Sequence, residues 1–154
     1  MKSIDREWVV NVLVASAWAA LLSGFPSTVY ALFTDGDPLE DTRAAGAMLI
    51  SFTSSDTSLI TAAIVVHVAV TLFWAFLLAW LLPRRHILWS CIAASALIAF
   101  LDLKLIARWF FPDVYLLDFW PQFADHIVWG AALGAALEWR WRERNMAPPE
   151  EMPT

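Results

Sequence analysis

The sequence predicts an all-α integral membrane protein: a four-helix bundle with both termini on the cytoplasmic side and a short surface helix in the first outer loop. Three observations carry this prediction. Of the 154 residues, 60% are hydrophobic and only 16% charged, against about 25% charged in a soluble domain. The apolar residues fall in long runs, close to the roughly 20 residues that cross the hydrocarbon of a bilayer. Ten tryptophans stand in this short chain, and tryptophan collects at membrane interfaces. The size suits one transmembrane domain over 1–146 and leaves no room for a separate soluble domain.

The first span is read at 9–33. Asp5 and Glu7 precede it, and the apolar run continues well past the length of a cleaved signal. Asn11, Ala15, Ala19, Leu22 and Ser23 make a small, weakly polar stripe. Pro26 then interrupts the backbone ladder. Ser27 and Thr28 beside it either bond their own backbone across a kink, the simpler reading, or line a polar pocket at a broken segment. The next connection is acidic. Asp37-Pro38 reads as a helix start, opening a surface helix over about 39–52.

Ser54, Ser55 and Asp56 form a capping cluster before the second span, 59–82. His67, Thr71 and Trp74 share one face of that span. Pro83-Arg84-Arg85-His86 is a sharp basic turn, so spans two and three are expected to pack as a tight hairpin. The third span, 87–111, carries Asp102, Lys104 and Arg108 in its outer third. At about 100° per residue, Cys91, Ser95, Ala99 and Asp102 share a face that Ile106 and Trp109 continue. Small residues let helices approach closely in lipid. Lys104 and Arg108 have stems long enough to snorkel to the headgroups, whereas Asp102 does not. Asp102 is therefore expected to face the bundle and to need a partner or a proton.

A loop with two prolines and two acids, 112–121, leads to the fourth span at 123–141. Gly130 and Gly134 make a GxxxG there, suited to close helix crossing, and Ser95 and Ala99 are read as helix-packing residues of the third span. The tail, 147–154, is Pro- and Glu-rich and reads as disordered. Orientation follows from the bases: Lys2, Arg6, Arg84, Arg85, Arg140, Arg142 and Arg144 fall on one side, which is then cytoplasmic. A bacterial inner membrane is the expected location. The single cysteine, Cys91, excludes an intramolecular disulfide, and no run of like charge suggests nucleic acid.

Counting about 1.5 Å per residue from the outer ends, Asp102 lies roughly 13 Å deep, His67 at the same depth, and His126 about 7 Å shallower. With the hairpin assumed, His67 is the expected partner of Asp102. Such a pair is suited to handling protons, because histidine titrates near neutrality, or else it pins two helices in register. Thr28, Thr71 and His126 would extend the pair outward toward Asp125, and Trp74 would complete a pocket for a quinone, a lipid or a proton. The ligand types of His67, Asp102 and His126 suit a transition metal, but their spacing matches no metal motif and none is assigned; no cofactor is legible.

No HExxH, GxSxG, P-loop or dinucleotide fingerprint is present, and no nucleophile–base pair is visible. A non-enzymatic role is expected. The leading expectation from size and tight helix faces is an accessory or assembly subunit of a larger membrane complex, with the bilayer, a membrane protein or a second copy as partner. The alternative is a binding or transfer module built on the intramembrane Asp–His centre.

Overall fold

The computed structural model describes residues 5–146; the tail expected to be disordered lies outside them. Among the described residues the chain is all-helical, without strands. α1 (Arg6–Ser23) starts where the Asp5 carboxylate accepts the Trp8 N–H at 2.7 Å. It breaks at Gly24 and resumes as α2 (Phe25–Phe33), with Pro26 in the first turn, where its missing N–H costs no helical bond. α3 (Glu40–Gly46) is shorter than the surface helix expected over 39–52. α4 (Asp56–Leu81) is capped by Ser55, as the serine cluster foretold. A 3₁₀ turn over Arg84–His86 leads into α5 (Ile87–Phe100). A π-helical segment, Leu101–Ile106, passes to α6 (Ala107–Phe110), and α7 (Pro112–Tyr115) follows. α8 (Phe119–Met146) closes the order.

Among the described residues, three helical stretches are long and apolar enough to cross a membrane: Arg6–Phe33, Asp56–Leu81 and Arg84–Phe110. They cover the first three expected spans and mark the chain as a membrane protein. α8 matches them in length, at 28 residues, but carries Asp125, His126 and Glu138 besides its terminal arginines. It starts at Phe119, earlier than the expected 123, because Pro121 sits in the first turn, where backbone N–H groups have no intrahelical acceptor.

α8 is the middle of the bundle. It packs along α5 on one side and α1 on the other, α2 rests on its outer part, and α4 leans on α1. The expected tight hairpin of α4 with α5 does not form; the two scarcely touch. The small face of α5 is taken by α8 instead. A Cβ on Gly130 would lie 2.1 Å from Ser95 Oγ and 2.7 Å from the Cys91 carbonyl oxygen, and one on Gly134 would lie 2.7 Å from Leu88 Cα. Ser95, Ala99 and Cys91 are fully buried. The glycine motif is thus consumed within the chain.

The π segment changes which residues face inward. The Ala107 N–H bonds the Asp102 carbonyl, five residues back. The extra residue turns the face, so Leu103 and Ala107 are buried while Ile106 and Trp109, expected on the inner face, are 41% and 75% exposed. Lys104 and Arg108 do point outward, Lys104 Nζ lying 4.3 Å from the Phe119 ring centroid. On α1, Asn11, Ala15, Ala19 and Ser23 are buried as expected, but Leu22 falls outside the stripe and is exposed. Trp141 is buried under the Arg84 guanidinium.

α3 packs on α4 so closely that a Cβ on Gly46 would sit 2.1 Å from the Leu59 carbonyl oxygen. Arg43 pairs with Asp37, whose carboxyl that guanidinium, and then the Leu39 N–H, holds below the usual carboxylate range. This stabilisation is present above the ordinary carboxylate pKa and is lost as the pH falls through the lowered one. Protection factors of the α3 amides, corrected for the intrinsic pH dependence of exchange, should accordingly fall on acidification, and Asp37→Asn should flatten that dependence. For the α5–α8 contact, Gly130→Ala and Gly134→Ala should each destabilise by about 1–3 kcal/mol, the usual cost of overpacking. Gly24→Ala, with nothing within 4 Å of the added carbon, should stay within about 0.5 kcal/mol. Reversible unfolding in mixed micelles, followed by circular dichroism, measures all three.

Candidate functional site

The weak contact of α4 with α5 leaves a space that α1, α2, α8 and the π segment close on the other sides. It is a cavity of about 650 Å³. α3 and the turn before it cover one end, through Pro38, Asp41, Thr42 and Ala45. All six residues expected at a binding centre line it: Thr28, His67, Thr71, Trp74, Asp102 and His126. They do not pair as expected.

Asp102 meets His126, not His67: Asp102 Oδ2 and His126 Nε2 are 3.7 Å apart, each side chain about a quarter exposed. The depth estimate failed because α8 starts at Phe119, which sets His126 seven residues in, while α6 ends at Phe110, eight residues beyond Asp102. The two therefore lie level. His67 instead turns to α1, where its Nε2 is 3.1 Å from the Ala20 carbonyl oxygen and 3.4 Å from Ser23 Oγ. The helix break provides that acceptor. Pro26 has no N–H for the Leu22 carbonyl, which takes the Gly24 N–H instead, and the Ala20 carbonyl is left to side chains. Both readings of the Pro26 segment hold at once. Ser27 and Thr28 bond back to the Gly24 carbonyl, and the segment lines the cavity.

These partners settle the tautomers. A carbonyl oxygen can only accept. His67 therefore carries its hydrogen on Nε2. His126 carries one on Nδ1, which lies 2.8 Å from the Gln122 carbonyl oxygen. With Nδ1 so committed, a neutral His126 presents a bare Nε2 lone pair to Asp102. Lone pairs facing one another repel, so the pair is favourable with one proton at its junction: imidazolium beside carboxylate, or imidazole beside carboxylic acid.

Asp125 lies next to the pair and is tied to α2, its Oδ1 accepting the Ser27 N–H at 3.0 Å. It satisfies an orphan donor in the first turn of that helix from a different element. Sequence reasoning placed Asp125 near the surface end of the chain of polar groups and missed Ser23, Asp41 and Trp129. Two of these had a signal: Ser23 ends the small stripe of α1, and Trp129 shares the face of His126 at i+3. Asp41 had none, since only the packing of α3 over the cavity brings it in. Among the described residues, no three His, Cys, Asp or Glu side chains gather closely enough to hold a metal ion.

Comparison with known protein families, with characterised proteins and with solved structures finds no match to this chain. The tautomers give the site its own check. Nitrogen spectra of histidine-labelled protein should show neutral His126 as the Nδ1–H form and neutral His67 as the Nε2–H form. The same tautomer at both would contradict the hydrogen bonds described.

Proposed function

We propose that the chain is a four-span protein of a bacterial inner membrane, with cytoplasmic termini, that binds an amphipathic small molecule within the bundle. α8, at about 1.5 Å per residue, is long enough to serve as the fourth span. The arginines at the start of α5 and the end of α8 support the orientation, and α3 then lies at the outer surface.

The observation that carries the binding role is the cavity. Its volume falls within the roughly 300–1,000 Å³ of small-molecule sites, and like them it combines apolar walls with a few converging polar groups. Leu21, Phe25, Ile64 and Val68 line it and are also exposed on the outside of the bundle. The mouth thus opens level with lipid, the route an amphipathic molecule would take. This favours binding or transfer over an accessory subunit whose role is packing alone, for which a filled bundle suffices.

Photolabelling tests the proposal. Full-length protein in lipid nanodiscs is irradiated with the neutral amphiphile 4-benzoylbenzyl alcohol, and labelled peptides are mapped by mass spectrometry. Saturable labelling of the α4 segment around His67–Trp74 and the α8 segment around Gln122–Trp129 is expected. Cavity-filling Ala20→Leu or Ala63→Leu should reduce it several-fold. Unsaturable labelling spread over outward residues such as Phe33 and Trp109 would overturn the binding role.

A further inference from the structure

The next step rests on the cavity being a binding site, and concerns what occupies it. Among its described lining residues are three carboxylates, Asp41, Asp102 and Asp125, and neither lysine nor arginine. Two indoles, Trp74 of α4 and Trp129 of α8, also line it. Carboxylates beside aromatic rings in a largely apolar enclosure are the chemistry that receives an organic cation.

Two largely buried residues also carry unpartnered polar groups at the cavity. Thr71 is 5% exposed, and its hydroxyl has no hydrogen-bond partner among the described residues. Trp129 is 7% exposed, and its indole N–H likewise has none among them. Neither atom is fully enclosed by protein, since among the described residues the enclosed side-chain atom without a partner is Trp8 Nε1, so an occupant can reach both.

The Asp102–His126 pair adds a charge constraint. With its one junction proton the pair is neutral and offers a cation beside it no counter-charge of its own. It offers one if that proton leaves. The Nε2–H bond of His126 breaks, the electron pair stays on the nitrogen, and the proton passes to water at the outer end beneath α3. The Asp102 carboxylate then faces the cation. Burial of charge disfavours accumulation and favours this exchange.

We propose that the cavity binds a lipophilic organic cation in exchange for the proton held between Asp102 and His126. The other titratable groups around the pair are Asp125 on α8, His67 on α4 and Asp41 on α3. α1 and α2 contribute only hydroxyls, those of Ser23, Ser27 and Thr28. Asp113 and Tyr115 on α7, which packs against the π segment, lie outside the cavity, and Lys104 and Arg108 point away from it.

The test uses two near-isosteres, methyltriphenylphosphonium and neutral triphenylphosphine oxide, titrated calorimetrically into full-length protein in nanodiscs, with empty nanodiscs subtracted. Paired buffers of different ionisation enthalpy count the protons. The phosphonium is expected to bind at least tenfold tighter than the oxide and to release about one proton. Its affinity should rise about tenfold per pH unit while the pair is protonated. Asp102→Asn should abolish the release and weaken binding at least tenfold. Asp125→Asn leaves the pair intact and should keep the release. If Asp102→Asn does not fold, the wild-type proton count and the phosphonium-to-oxide ratio decide alone. Equal binding of the oxide, or phosphonium binding without proton release, would overturn the exchange while leaving the cavity a binding site. Binding of neither probe, together with unsaturable photolabelling, would sink both.

Discussion

The approach of the α8 backbone to α5 at Gly130 and Gly134 is the constraint on which the rest of the structure depends. No side chain fits between these helices where Gly130 meets Ser95 and Gly134 meets Leu88. With α8 seated there, the small face of α5 is occupied, and α4 must find its packing on α1. The space so vacated is the cavity. The same contact fixes what faces it, for His126 stands one turn along α8 from Gly130 and Asp102 two turns along the other helix from Ser95. Two glycines with no side chain of their own thereby bring a carboxylate and an imidazole together.

Much of this was legible from residues. The cap at Ser55, the small stripes, the interruption at Pro26 and the inward aim of Asp102 followed from local rules, and all six centre residues line one cavity. The pairing was not legible. It depended on a neighbour relation that the short basic turn after α4 misrepresents, since adjacency in sequence put α4 and α5 together, whereas α5 packs on α8 and α4 on α1. It also depended on two departures from uniform helix. Pro121 falls within the first turn of α8, which lengthens that helix outward. The wide turn after Asp102 rotates Ile106 and Trp109 out and Leu103 and Ala107 in. Periodicity counted at a constant angle cannot register an inserted residue.

The two histidines show how backbone disposes of side-chain chemistry. Each gives one ring nitrogen to a carbonyl, but His67 gives Nε2 to a carbonyl freed by the helix break, and His126 gives Nδ1 to a carbonyl of its own helix. The nitrogen that remains differs accordingly. For His126 it faces Asp102; for His67 it is Nδ1, with the face of Thr71 and Trp74 beyond it on the same helix. Neither assignment needs a bound molecule, so the site is shaped before anything enters it.

The polarity of α8 bears on how the chain is made. An aspartate at the centre of a bilayer raises the cost of inserting an isolated helix by roughly 2.5–3.5 kcal/mol, and α8 carries Asp125 and Glu138. What offsets this is supplied elsewhere, by the Ser27 N–H for Asp125 and by Asp102 for the neighbouring imidazole. In the four-span arrangement proposed above, lipid alone suffices to admit the three apolar helices at the translocon, whereas the last segment is admitted by its predecessors. Biogenesis then has a direction: synthesis of the C-terminal quarter must wait on a receptive scaffold of the rest.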